Sequence, residues 1–149
     1  PNDVLCSSGR KISGILTEQV TRPDGASALI TGIGINVNQA PEDFPAELRA
    51  SATSLRVLLG HPLSRLSLLK DLLEQLEALL EMPDAAIFEA WQRQCLTLGR
   101  TVRVRLHGRA FLAQALALEK DGGLILRHPS GHQEVIHSGD VEELRVVEP

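Results

Sequence analysis

An α+β fold is what this 149-residue sequence predicts, and three features predict it. A glycine-bearing hairpin pattern fills residues 11–37, and a leucine-striped helix follows at 66–80. After Gly99 the pattern turns to short alternating strands at roughly ten-residue spacing, the mark of a small β-barrel or sandwich. The expected division is therefore a mixed sheet-and-helix part over 1–96 and a small β-barrel over 97–149.

Each element has a local cause. Residues 11–20 alternate loosely around Gly14, which predicts a strand that something approaches closely. Pro23-Asp24-Gly25 is a turn, because proline pre-sets φ and glycine accepts a positive one. Ala28 to Val37, rich in Ile and Thr, is the returning strand. Residues 38–47 carry Pro41 and Pro45 and read as loop. A short helix is expected from about Thr53, capped by Thr53 or Ser54 and stopped by Gly60. Leu66, Leu69, Leu73, Leu76 and Leu80 then follow helical spacing, with Lys70, Asp71, Glu74, Gln75 and Glu77 opposite: an amphipathic packing helix. Pro83 ends it, and Asp84 is expected to cap another that carries Ile87, Phe88, Trp91 and Cys95 and closes at Gly99. Val102, Val104 and Leu106 alternate with Arg103, Arg105 and His107, a half-buried strand. Four more strands are expected at Phe111–Leu118, Leu124–Arg127, Glu134–His137 and Glu143–Val147.

Composition narrows the function classes. Hydrophobic residues make up 43% and charged residues 23%, which is ordinary for a folded domain. A net charge of −4 argues against nucleic acid as an obligate partner. No apolar run is long enough for a membrane span. Cys6 and Cys95 make no disulfide framework, so a reduced, cytoplasmic setting is expected. The chain opens on Pro1 without an initiator methionine, and the expectation is the tail of a longer chain.

Three constellations bear on chemistry. Lys11, at a strand entrance near Gly14, is either a solvated surface lysine or a compact point charge for a carboxylate or phosphate. Gly32-Ile33-Gly34-Ile35-Asn36 is either a crowded structural strand or a bare track on which a flat ligand lies. The Asn36 amide would then read a base or phosphate, since it both donates and accepts. Arg103, Arg105 and Arg109 form a basic face that is either the wet side of a strand or a dock for an acidic partner or single-stranded nucleic acid, the last without aromatic residues on that face to stack bases. The spacing of His128, His132 and His137 fits no zinc pattern, so no metal site is expected.

Taken in order, Pro1-Asn2-Asp3, Arg10-Lys11-Ile12-Ser13-Gly14-Ile15-Leu16-x-Glu18 and Gly32-Ile33-Gly34-Ile35-Asn36-Val37-Asn38 resemble the second half of the catalytic domain of bacterial biotin protein ligase. Ala52-Thr53-Ser54-Leu55, the leucine helix, the Phe88/Trp91 helix and the C-terminal strands follow in that family's order. The resemblance implies a remnant of a mixed-sheet ligase catalytic domain followed by an SH3-like β-barrel. It implies an enzyme that joins biotin to ATP as biotinyl-5′-adenylate, with magnesium, and passes biotin to a lysine of a biotin carboxyl carrier protein. Lys11 would be the catalytic lysine that contacts biotin. Gly14 and Gly32 would line the biotin slot, and Asn2, Ile35 and Asn36 would hold the ATP and adenylate side.

The resemblance also implies a possible homodimer, no membrane, and DNA contact only through an N-terminal domain outside this sequence. The family's glycine- and arginine-rich adenylate loop is not in these residues, so the piece alone is expected to have little ligase activity. Two other readings stay open: a lipoate-type ligase or acyl transferase of the same fold, and a non-catalytic binding module.

Overall fold

A long antiparallel hairpin organises the first part of the computed structural model, which describes residues 2–137 and 141–147. Pro1, the first residue of the Pro1-Asn2-Asp3 motif, lies outside them. Strand β1 (Asp3–Leu5) pairs with β2 (Lys11–Thr21), and β2 pairs with β3 (Ser27–Ile35), giving a three-stranded sheet in the order β1-β2-β3. Both pairings are antiparallel. The expected turn closes the hairpin, with Gly25 at φ 84° and Gly25 N donating to the Arg22 carbonyl at 2.9 Å.

The loop after β3 is stitched back onto the sheet. Asn38 Nδ2 donates to the Leu63 carbonyl and Asn38 Oδ1 accepts from Leu63 N, both at 2.8 Å. Lys11 N donates to the Ser51 carbonyl, and Thr53 N donates to the Lys11 carbonyl. These bonds clamp segment 51–53 beside the start of β2, with a parallel bridge between Lys11 and Ala52. Helix α1 (Leu55–Leu59) starts as expected: Ser54 Oγ accepts from Val57 N at 3.2 Å and donates to the Gln39 carbonyl at 2.6 Å. Gly60, at φ 80°, ends it in the left-handed conformation.

Helix α2 (Arg65–Leu80) forms where the leucine spacing predicts it, but its stripe is not packed away. Leu66 is 77% exposed and Leu80 is 81% exposed. Helix α3 (Asp84–Gln94) begins one residue earlier than expected, with Pro83 and not Asp84 at the N-cap position. It ends at Gln94, short of Gly99, because the Cys95 backbone has already turned extended. Phe88 and Trp91 meet edge to face at 6.0 Å.

The C-terminal strands are β4 (Thr101–Leu106), β5 (Arg109–Leu118), β6 (Leu124–Arg127), β7 (Gln133–Ile136) and β8 (Val141–Val146). They make one sheet in the order β7-β6-β5-β4-β8. This corrects the expected SH3-like barrel. The order is linear, its ends are β7 and β8, and the sheet is open. Alternation and turn spacing specify how many strands form, whereas closure depends on tilt and stagger that no local pattern encodes. The mixed sheet is corrected as well. Every described strand pairing is antiparallel, and the Lys11–Ala52 bridge is parallel but stands outside the strands. An α+β chain with two sheets is what forms.

One face of the second sheet carries a core: Val102, Val104, Ala113, Ala115, Leu126 and Ile136, flanked by Leu106, Phe111 and Leu124. Arg103 and Arg105 alternate onto the other face, as the period of two requires. His128 serves packing within this unit: its Nε2 lies 2.6 Å from Glu134 Oε1 and its ring stacks on Phe111 at 4.8 Å. The chain divides into two compact units, Pro1–Leu80 and Glu81–Pro149. Among the described residues, no helix is long and apolar enough to cross a membrane.

Candidate functional site

The register of the first sheet sets its most distinctive surface. Gly14 lies opposite Gly34, and Leu16 lies opposite Gly32. Side chains alternate along each strand, so these four positions share one face, and three of them have no side chain. The result is a patch of exposed main chain. A Cβ added at Gly32 would approach nothing nearer than the Leu16 carbonyl at 3.9 Å, and at Gly34 nothing nearer than the Gly14 carbonyl at 3.9 Å. Nothing else on the sheet needs that space.

A β-bulge brings Lys11 to this face. Asp3 pairs with Gly14, Val4 with Ser13 and Leu5 with Lys11, so two steps on β1 match three on β2. Without the extra residue, Lys11 and Gly14 would point to opposite sides. The bulge re-aims the lysine to the side of Asp3 and Gly14. Its Nζ sits 2.6 Å from Asp3 Oδ1. The ammonium also lies over Gly14, where an added Cβ would come within 3.1 Å of Nζ and 3.2 Å of Cε. Glycine at 14 is thus what lets the lysine tip rest against the strand.

Together these groups line an open hollow of about 490 Å³, formed by Asn2, Asp3, Lys11, Gly14–Leu16 and Gly32–Gly34. Both charged side chains are close to half exposed. An ion pair in that setting contributes only about 0–1 kcal/mol to stability, so its value lies in where it holds charge. Chemically, the site offers one ammonium with donors to spare, one carboxylate and a floor of peptide groups.

Four of the six expected site residues therefore meet: Asn2, Lys11, Gly14 and Gly32. Ile35 and Asn36 do not line the hollow. Asn36 Nδ2 donates to the Thr53 carbonyl at 3.0 Å, and Asn36 N donates to the Ile12 carbonyl at 2.8 Å. That amide is holding the 51–53 segment. Asp3 entered the sequence reading only as part of the Pro1-Asn2-Asp3 motif and with no role, since β1 is too short to show a pattern. Its signal is visible only in register, as an opposite charge across the strand from the lysine face.

Nearby, Cys6 is buried and its Sγ lies 3.1 Å from Ser8 Oγ, which in turn accepts from Arg10 Nε at 3.3 Å. The Ser8 hydroxyl, above all, holds the Cys6 thiol below its ordinary pKa, with the Ser8 and Arg10 backbone and the Arg10 charge adding to it. Among the described residues, no group of three or more His, Cys, Asp or Glu could hold a metal ion.

Residues 97–142 match the family model described as the biotin protein ligase C terminal domain. Over 146 residues the chain is 35% identical to the bifunctional ligase/repressor BirA of Bacillus subtilis, covering 95% of this chain and 44% of that protein. It is 34% identical over 148 residues to the biotin–[acetyl-CoA-carboxylase] ligase of Mycobacterium tuberculosis, covering 97% and 52%. Among solved structures it matches the biotin protein ligase from Aquifex aeolicus in complex with biotin and ATP. The TM-score there is 0.75 at 30% identity, over 99% of this chain and 60% of the other.

The class these findings define is a chain carrying a C-terminal biotin-protein-ligase domain. More particularly, that domain and the likeness along the rest of the chain are consistent with the bacterial biotin protein ligase family, and the chain spans about half the length of the curated relatives it matches, 44% of one and 52% of another.

Proposed function

We propose that the hollow is part of the site where a biotin protein ligase activates biotin with ATP to biotinyl-5′-adenylate, before transfer to a lysine of a biotin carboxyl carrier protein. The observation that carries this reading is the convergence of the Lys11 ammonium on a floor without side chains at Gly14, Gly32 and Gly34. The relative solved with biotin and ATP supports the choice of substrates.

In this reading biotin lies along the glycine floor with its carboxylate toward Lys11. Two anions, that carboxylate and the α-phosphate of ATP, must approach each other, and negative charge grows on the phosphate oxygens as the acyl–phosphate bond forms. A fixed ammonium stabilises that charge more in the transition state than in the ground state, which is what accelerates the step. Asn2, on the rim, and Ile35 with Asn36, at the end of β3, take the nucleotide side. The Asn36 amide nitrogen is bonded to Thr53, so its carbonyl oxygen is the atom offered to the adenylate.

Residues 1–96 are then the C-terminal part of a catalytic domain and 97–149 its companion domain, a division supported by the family match that begins at 97. Homodimer formation belongs to the same reading, as does a cytoplasmic setting. Repression is named for the Bacillus relative, and any DNA contact would belong to an N-terminal domain.

The test is Lys11→Ala in a ligase chain that includes this segment. Adenylate formation should fall by about 10²–10³ while the fold stands. An unchanged rate would remove Lys11, and with it this assignment of the hollow.

A further inference from the structure

We infer that Asp3 is a positioning residue that holds the Lys11 ammonium in the attitude the hollow requires; the inference rests on the reading of the hollow given above. Lysine has a flexible four-carbon stem and carries a compact charge with three N–H donors. On an open sheet face such a side chain has many rotamers, and holding it costs entropy. Three features of the first sheet remove that freedom. The bulge between Val4 and Leu5 turns Lys11 onto the glycine face. Gly14 leaves the groove in which the stem lies. Asp3 then fixes the tip, with Oδ1 at 2.6 Å from Nζ.

The directly opposed pairing of Asp3 with Gly14 matters here. It places the carboxylate beside the ammonium on the floor of the hollow, since both line it. One donor of Lys11 goes to Asp3, and two remain for an incoming anion. The carboxylate thus sets the direction of the remaining donors. It also gives the empty hollow a balanced charge, so that an arriving carboxylate meets an ammonium already in place.

The experiment has two arms. In the first, the mobility of Lys11 Cε is measured by NMR relaxation in this chain and in Asp3→Ala, Asp3→Asn and Asp3→Glu. Asp3→Ala should free the lysine tip, Asp3→Asn should hold it partly, and Asp3→Glu should restore most of its order, with the melting temperature unmoved. In the second, adenylate formation is measured in a ligase chain that includes this segment. Asp3→Ala should lower kcat/KM by about threefold to tenfold. Adding it to Lys11→Ala should cost nothing more, because Asp3 acts through that lysine.

Equal Lys11 mobility in Asp3→Ala and the parent overturns the inference, as does further loss in the double variant. If Lys11→Ala keeps full activity, it is the functional reading that fails, and the mobility arm alone still decides whether Asp3 orders the lysine.

Discussion

The two sheets of this protein are built by the same hairpin physics and end as opposites. In the second sheet the positions that face one way are Val102, Val104, Ala113, Ala115, Leu126 and Ile136, and they close into a dry core. In the first sheet the corresponding choice at three facing positions is Gly14, Gly32 and Gly34, and the face stays hollow. Antiparallel backbone ladders hold both sheets together. The difference is what stands on the pleat: branched side chains make one sheet stabilise itself, and their omission makes the other able to hold a ligand. Omission has a cost, since glycine weakens a strand interior by roughly 0.5–1 kcal/mol relative to alanine.

The sharpest way to break this contrast is to damage the core. Leu126 is fully buried, and Leu126→Ala should destabilise the second unit by about 2–5 kcal/mol. Differential scanning calorimetry should show that loss. An unmoved transition would mean that the Leu126 side chain does not carry that core.

Filling the hollow is the converse. Gly34→Val adds a branched side chain where a Cβ meets only a carbonyl at 3.9 Å, so the strand should be no less stable. Biotin binding to a ligase chain with this change should weaken by at least about tenfold, some 1.4 kcal/mol. Wild-type affinity in a titration calorimeter would show that the ligand does not use this floor.

A smaller effect is expected at the α1 cap. Ser54 is buried, donates to Gln39 and accepts from Val57. Ser54→Ala should cost about 1 kcal/mol, read as a lower urea midpoint, with the hollow unaltered. No change in midpoint would show that the cap is redundant with the Asn38 clip.

The smallest effect is on pH dependence. Cys6 has its thiol lowered by the Ser8 hydroxyl, so its folded pKa lies below the unfolded one. Stability from this source is fully present above the unfolded thiol pKa and is lost as pH falls through the lowered folded value. Ser8→Ala should move the thiolate absorbance titration of Cys6 toward the ordinary range. A curve that does not move would assign the shift to the backbone around it.

Legibility differed by element for physical reasons. Helix α1 was readable to within a residue or two because a serine or threonine cap and a left-handed glycine are local signals, and Ser54 and Gly60 supply them. The hairpin β2–β3 was readable from Pro23-Asp24-Gly25 and the strands on either side. Helix α2 formed as its leucine spacing predicts, but burial of that stripe needs a surface to cover it, and Leu66, Leu73 and Leu80 stay exposed. The expected barrel failed at its closure, which is a relation between β7 and β8 and belongs to neither.

In the site, glycine spacing pointed to a bare strand because missing side chains are visible in any sequence. The role of Asp3 was not visible, because its partner lies eight positions away across a bulge.

The amino-acid sequence by itself determined the elements, the α1 cap, the hairpin turn, the presence of a lysine near a glycine track, and the likeness to a ligase family. Those depend on interactions within a few residues, or on motif order along the chain. Only the tertiary structure decided that the second sheet stays open, that Asn36 holds the Thr53 segment, and that Lys11 shares a face with Gly14. The last of these turns on a single extra residue in β2. Strand alternation has a period of two, so one inserted residue reverses which side every neighbour faces, and that reversal is set by pairing with β1.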